Sequence, residues 1–302
     1  MALLLSIFAF DLLPIFLIAG AGFALARWRG ASATTLTHVV FYALLPCFAF
    51  RLLMTSVATG REFGLMVLLA MLVMAAMALV GAVASFALRL NRTETSAFLL
   101  VLMFSNGGNY GLPVVSFAFG EQALSYGTVF FLTGSVMTST VGAFLAAAGR
   151  RSFRAALMSV LRMPALYGIL AAVLALSTGI TTPAPLMRPI TMLSDAALPL
   201  MILVLGMQLE RAVVPARPAL VVLAVSLSLV LAPLIALGLT SLFDVTGPAR
   251  QAVVVLASMP VAVATTILAL EFDTSPEFVT GAVFLSTLLS PLTLTPLIAY
   301  LT

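Results

Sequence analysis

Long apolar stretches, separated by short polar connections, run through almost the whole chain. A hydrocarbon core about 30 Å thick is crossed by an α-helix of about 20 apolar residues. Of the 302 residues, 63% are hydrophobic and 8% are charged, and the mean hydropathy is +1.23. This composition is typical of a polytopic membrane protein and excludes an ordinary soluble domain. Ten membrane-spanning segments are predicted, at residues 4–26, 36–55, 63–88, 96–119, 123–148, 155–177, 188–208, 218–241, 250–270 and 277–301.

The fourth predicted segment is interrupted at residues 106–113, which read Asn-Gly-Gly-Asn-Tyr-Gly-Leu-Pro. Glycine and proline disfavour a continuous helix. Unpaired peptide groups cost several kcal/mol in hydrocarbon, so such a break persists only where it faces protein or a polar cavity. The sequence therefore predicts a transport site here. The alternatives are a loop between two short helices and a glycine contact that lets neighbouring helices approach.

A second break lies in the ninth segment at residues 258–261, which read Ser-Met-Pro-Val. Pro260 follows Pro113 by 147 residues (260 − 113), and other landmarks recur at similar offsets. Five segments per repeat force the second repeat to enter the membrane from the opposite side. The predicted fold is an all-α polytopic membrane protein with ten transmembrane helices, in two inverted five-helix repeats at residues 1–150 and 151–302. The other paired landmarks are Pro14 with Pro164, Leu45-Pro46 with Leu198-Pro199, and residues 127–131 with 281–285.

Both breaks contain a proline, which is best tolerated at the first position of a helix. Pro113 and Pro260 are therefore predicted to begin half-helices whose N-termini meet near the membrane midplane, where they would stabilise an anion. Asn106 and Asn109 add amide groups that suit a carboxylate without placing a fixed charge in the bilayer. The predicted substrate-binding residues are Asn106, Asn109, Gly111, Leu112, Pro113, Met259, Pro260 and Val261.

Charged residues within the apolar segments are candidates for coupling or gating. Arg51 and Asp195 are predicted to form an ion pair, or a proton- or substrate-linked switch, on the outer side of the site. In the alternative, Arg51 snorkels to the surface and Asp195 caps the start of its helix. Asp11 is interpreted either as an interfacial residue or as a coupling group, and His38 as an interfacial residue rather than a proton relay.

All 14 basic residues are arginines, and their distribution predicts the orientation of the chain. If the first helix runs inward, ten arginines fall on the cytoplasmic side and four on the other side. The positive-inside rule then places both termini outside. The four outer arginines are Arg51, Arg61, Arg188 and Arg250; the ten inner ones are Arg27, Arg29, Arg89, Arg92, Arg150, Arg151, Arg154, Arg162, Arg211 and Arg217.

Four stretches of the sequence resemble the auxin efflux carrier family, in its bacterial form related to malate and malonate permeases: residues 106–113, 41–46, 257–260 and 283–293. The resemblance spans essentially the whole chain. It implies an elevator-type transporter with a scaffold of segments 1, 2, 6 and 7, a transport domain of segments 3–5 and 8–10, and crossing broken segments 4 and 9. It also implies a small organic anion as substrate, such as malate, malonate or an auxin-like carboxylate, and a homodimer formed through the scaffold.

Two other classes of protein compete with a secondary active transporter. A passive facilitator or channel of the same fold is the alternative, because coupling residues are sparse. An intramembrane enzyme is the weaker rival, since the sequence lacks a nucleophile with a base and has only Asp11 with Asp195 to offer. No cofactor, no metal site and no nucleic-acid partner are expected, and the coupling ion, a proton or sodium, stays open. The expected location is the bacterial cytoplasmic membrane.

Overall fold

The computed structural model describes residues 2–56, 59–147, 158, 161–179, 182–210 and 217–302. Helices dominate these ranges, and seven of them, α1, α2, α3, α5, α7, α8 and α11 as defined below, are long and apolar enough to span a membrane. The helices are α1 (Leu3–Arg29), α2 (Ala33–Thr55), α3 (Gly60–Ala87), α4 (Arg92–Met103), α5 (Gly107–Ala146), α6 (Pro164–Thr178), α7 (Ala184–Leu209), α8 (Pro218–Leu242), α9 (Gly247–Ala257), α10 (Val263–Glu271) and α11 (Pro276–Leu301).

The two predicted breaks separate short helices from the helices that follow them. Helix α4 ends at Met103 and α5 begins at Gly107, while α9 ends at Ala257 and α10 begins at Val263. With 12, 11 and 9 residues, α4, α9 and α10 are each too short to cross a bilayer alone. Helix α5 is 40 residues long and bends at Gly120 (φ 76°, ψ −169°), between the predicted fourth and fifth segments.

The count of ten spanning segments stays a prediction. The predicted start of the sixth segment at residue 155, the repeat boundary at residues 150 and 151, and Arg150, Arg151, Arg154 and Arg211 lie outside the described residues.

Helix ends follow local sequence signals. Thr59 and Glu62 form a reciprocal capping box at the start of α3, and Asn91 and Glu94 form another at α4. These side chains satisfy backbone N–H groups that have no partner within the helix. Helix α1 ends at Gly30, whose positive φ of 64° suits a glycine.

Three helices contain a five-residue π-helical turn directly before a Leu-Pro pair. Proline lacks an N–H, and its ring collides with the carbonyl four residues earlier in an α-helix. The wider π turn, with hydrogen bonds five residues apart, keeps these prolines inside continuous helices. The turns are Phe8–Leu12 before Pro14, Val40–Leu44 before Pro46 and Gly107–Gly111 before Pro113; Leu13, Leu45 and Leu112 donate to the carbonyls of Phe8, Val40 and Gly107.

The helices pack in two groups. The first group comprises α1, α2, α6 and α7, in which α1 packs along α7 and α2 packs along α6. Gly22 and Gly206 lie where α1 and α7 cross, and Gly168 lies where α6 crosses α2. A Cβ atom at any of the three would collide with the backbone of the facing helix. Small residues therefore set the close approach of these helices.

The second group comprises α3, α4, α5 and α8 to α11. Helix α9 packs along α5, α3 lies against α4 and α5, and α8 lies against α3, α9 and α11. Ion pairs join helix ends within each group: Arg27 with Glu210 at 3.3 Å in the first, and Arg217 with Glu94 in the second. The two groups meet mainly where α1 and α7 contact the start of α5 and where α1 contacts α11.

Candidate functional site

The two breaks cross each other as short extended segments. Ser105 and Val261 form an antiparallel β-bridge. The N–H of Asn106 donates to the carbonyl of Pro260 at 2.7 Å, and the N–H of Ala262 donates to the carbonyl of Phe104 at 2.8 Å. Helix α5 begins two residues after Ser105 (107 − 105) and α10 begins two residues after Val261 (263 − 261). Two helix N-termini therefore flank one crossing point.

The predicted start at Pro260 was wrong, while the predicted start at Pro113 holds for the α-helical part of α5. Helix α5 begins with the π turn at Gly107, and Pro113 is the second residue of the α-helical part that begins at Leu112. Pro260 lies in the extended segment, and α10 begins at Val263. The carbonyl of Pro260 accepts the bond from Asn106. This pairing satisfies backbone groups on both broken segments and fixes Pro260 in an extended conformation.

Serine side chains satisfy other backbone groups that the breaks leave open. Ser105 Oγ donates to the carbonyl of Leu256 at 2.8 Å, and Ser286 Oγ of α11 accepts from the N–H of Val261 at 3.1 Å. Non-helical backbone at membrane depth needs partners of this kind. The crossing is thus held within protein on the side of α9 and α11.

The glycines of the first break allow close packing as well as irregular backbone. A Cβ on Gly108 would lie 2.8 Å from Cε2 of Phe131, and a Cβ on Gly111 would lie 2.9 Å from Cγ of Met259 and closer still to Leu256. The glycines of this motif therefore both interrupt the helix and let neighbouring side chains approach closely. The Gly111–Met259 approach and the Asn106–Pro260 bond bring the two predicted groups of site residues together.

The two asparagines of the motif are buried but differ in their partners. Asn109 is 8% exposed, and its Nδ2 donates to Oε1 of Gln208 in α7 at 3.2 Å. Asn106 is 5% exposed, and its Nδ2 has no hydrogen-bond partner in the described part of the chain. A buried donor left unpaired costs about 1 to 3 kcal/mol. The crossing therefore holds an amide donor without an acceptor. Gly111, Leu112, Pro113, Met259, Pro260 and Val261 are buried as well, so the predicted site is closed to solvent.

Tyr110 fixes the first break against helices of both groups. Its ring meets Phe16 of α1 edge to face, with centroids 5.9 Å apart, and its hydroxyl is hydrogen-bonded to Ser290 Oγ of α11 at 3.2 Å. Sequence patterns did not predict Gln208, Phe16 or Ser290 as neighbours of the first break. Gln208 is the last residue of the predicted seventh segment and has the pattern of an interfacial residue, and no spacing rule places it against Asn109.

Arg51 and Asp195 form the predicted ion pair, through Nη1 and Oδ1. The alternative in which Asp195 caps its helix is wrong, because α7 begins at Ala184, eleven residues earlier (195 − 184). The pair joins α2 to α7 within the first group, and its role in coupling or gating stays a prediction.

Asp11 lies half-buried in the π turn of α1, which packs against α5 and α11. His38 contacts the ring of Tyr42 edge to face.

The all-helical fold, with its apolar spanning helices and an internal crossing of broken segments, defines an integral multi-pass membrane protein. The chain belongs to the membrane transport protein family, which matches residues 7–298, and this is the auxin efflux carrier family that the motifs indicated. An uncharacterized transporter of Methanothermobacter thermautotrophicus is 28% identical over 266 residues, or 85% of each chain. Another, of Methanocaldococcus jannaschii, is 23% identical over 206 residues, or 67% of each chain. The protein is a membrane transporter and not an enzyme.

Proposed function

We propose that this protein is a secondary active transporter that moves a small organic acid anion by an elevator-type mechanism. The observation that carries the proposal is the Nδ2 of Asn106, which has no partner among the described residues, at a crossing flanked by two helix N-termini. A carboxylate accepts hydrogen bonds from amide donors, and the positive ends of helix dipoles stabilise its charge. The substrate is a dicarboxylate such as malate or malonate, or an auxin-like carboxylate.

The pairing of helices supports two inverted five-helix repeats. A pseudo-two-fold axis in the membrane plane relates the first segment to the sixth and the second to the seventh. The contact of α1 with α7 then has its equivalent in the contact of α6 with α2, and glycines mediate both. The two broken segments are related in the same way, with a bridge residue two positions before each following helix.

The grouping of the helices supports an elevator. The first group, α1, α2, α6 and α7, is the scaffold, and the second group carries the substrate between the two faces of the membrane. Tyr110 and Asn109, close to the proposed binding site, contact helices of the first group, Phe16 of α1 and Gln208 of α7. The protein works in a bacterial cytoplasmic membrane with both termini outside, and the scaffold forms a homodimer.

Uptake in proteoliposomes tests the proposal. Purified protein is reconstituted, and radiolabelled malate, malonate and indole-3-acetate are offered with an imposed proton or sodium gradient. Uphill accumulation of one of these acids, lost when the ion gradient is collapsed, is the expected result. Equilibration that stops at equal concentrations on both sides would instead identify a passive facilitator of the same fold.

A further inference from the structure

The hydrogen bond between Asn109 and Gln208 joins the two helix groups at the crossing. Asn109 lies in the π turn that opens α5, and Gln208 lies near the end of α7. The atoms involved are Nδ2 of Asn109, the donor, and Oε1 of Gln208, the acceptor, at 3.2 Å. The two asparagines are therefore unequal: the amide of Asn109 donates to a neutral acceptor from α7, while the amide of Asn106 has no acceptor in the ranges that the structure describes.

A side-chain amide oxygen is a weaker acceptor than a carboxylate. A neutral hydrogen bond contributes about 0.5 to 1.5 kcal/mol, and a bond to a charged group contributes about 1.5 to 3 kcal/mol. An anion that reaches Asn106 can therefore displace Gln208 from Asn109 and engage both amides. Gln208 is half-buried and loses this bond without being left in the dry interior.

We propose that Gln208 is a displaceable latch: its Oε1 occupies the amide of Asn109 while the site is empty, and a substrate carboxylate takes its place. This inference rests on the proposed carboxylate site at Asn106 and Asn109. Because the bond ties α7 of one helix group to α5 of the other, its replacement removes a contact between the groups only when the site is filled. Occupancy of the site is thereby linked to the freedom of the groups to move.

Equilibrium binding to purified variants tests the latch. The probes are acetate, malonate, malate and indole-3-acetate, and dissociation constants at pH 8 are taken from ligand-dependent stabilisation in thermal melts. Gln208→Met keeps the length of the side chain and removes the competing acceptor, so its dissociation constant should fall about two- to tenfold. Gln208→Glu places a stronger acceptor beside Asn109, so its dissociation constant should rise about tenfold or more.

Two further variants show whether the effect passes through Asn109. Asn109→Ala should bind about ten- to a hundredfold more weakly than Gln208→Met, which also lacks the latch, and adding Gln208→Met to Asn109→Ala should change nothing more, because the latch has lost its partner. Gln251→Met is the matched control: the amide of Gln251 is also partly buried and donates to the carbonyl of Leu301, away from the crossing. Its dissociation constant should equal that of the wild type.

The outcomes separate the latch from the site. If Asn109→Ala weakens binding while Gln208→Met leaves the affinity unchanged or lowers it, the latch is wrong and the carboxylate site stands. If Asn109→Ala binds every acid normally, or no acid binds the wild type, the site itself is wrong and the latch falls with it. Tighter binding by Gln208→Met that persists in the Asn109→Ala background also contradicts the latch.

Discussion

At the scale of single residues, the amide of Asn106 is where stability and function oppose each other. Its Nδ2 is buried and has no partner within the described part of the chain, which destabilises the protein when no ligand is bound. Buried polar groups in native structures nearly always have a hydrogen-bond partner. For the amide of Asn106, the proposed partner is an acceptor atom of the bound substrate. Ser85 Oγ is likewise buried with no partner among the residues that the structure describes, but it lies in α3, outside the two breaks. The two residues therefore make a matched pair for experiment.

Replacing Asn106 with leucine, which has nearly the same volume, should leave the melting temperature of the ligand-free protein unchanged or higher. The same variant should lose about ten- to a hundredfold in affinity for the acid that binds the wild type, because a bond to a charged group is gone. Thermal melts with and without the acid measure both effects. Ser85→Ala should match the wild type in its response to ligand. An Asn106→Leu protein with a full ligand response would remove Asn106 from the site.

The ion pair of Arg51 with Asp195 makes a second prediction at this scale. The side chains are 26% and 60% exposed, so screening limits the contribution of the pair to stability. Single variants Arg51→Asp and Asp195→Arg should insert in the membrane but transport poorly, because each leaves two like charges together. The exchange of both residues should restore transport in the proteoliposome assay. If both single variants and the double variant fail to transport, each charge is needed at its own position, and the pairing of opposite charges is not sufficient.

At the scale of helices and turns, the π turn before Pro113 determines which way the site residues face. An α-helix there would rotate residues 107–111 relative to the rest of α5, since the π turn holds one extra residue. Pro113→Ala restores an N–H and removes the clash that favours the wider turn. We expect this variant to insert normally and to lose transport. Pro46→Ala, in the equivalent Leu-Pro pair of α2, is the control, since that turn lies outside the proposed site. Similar transport by the two variants would contradict a special role for the first break.

Glycine at the crossing of α1 and α7 gives a prediction about stability. A methyl group on Gly206 meets the backbone carbonyl of Ala19, which cannot move aside as a side chain can. Gly206→Ala should therefore destabilise the protein by about 1 to 3 kcal/mol. Gly238→Ala in α8 meets nothing within 4 Å and should stabilise the protein by about 0.5 to 1 kcal/mol through helix propensity. Thermal melts in detergent compare the two, and equal melting temperatures would contradict the packing argument.

The sequence predicted the positions of the breaks but not their detailed form. Glycine, asparagine and proline within an apolar segment mark a helix interruption, and both interruptions lie where they were predicted. The start of the second half-helix was misplaced because a local rule, proline at the first helical position, was overridden at Pro260 by its hydrogen bond to Asn106, 154 residues earlier in the chain (260 − 106). Gln208 was missed for the same reason. A side chain that meets its partner only through the packing of α7 on α5 leaves no periodic signal in the sequence.

At the scale of the whole molecule, packing within each of the two helix groups is more extensive than packing between them. Close glycine crossings and ion pairs join α1, α2, α6 and α7 to one another, and this group meets the second where α1 and α7 contact the start of α5 and where α1 contacts α11. An elevator requires such a division, because one group must slide past the other without rearranging its own packing. A cross-link within one group should then leave transport unchanged, and a cross-link between the two groups should stop transport.

Paired cysteines in a Cys47→Ser background, which removes the single native cysteine, test this division. Phe16→Cys with Tyr110→Cys spans the two groups at a ring contact of 5.9 Å, and a short thiol-specific cross-linker should abolish transport. Arg27→Cys with Glu210→Cys lies within the first group, where the native side chains are 3.3 Å apart, and the same reagent should leave transport near the uncross-linked rate. The cross-linker contains a disulfide that a reducing agent cleaves, so each pair serves as its own control before and after reduction. A cross-link between two rigid bodies blocks their relative motion, and a cross-link within one body does not. Undiminished transport by the cross-linked first pair would therefore mean that the substrate crosses without movement of the groups, as in a channel.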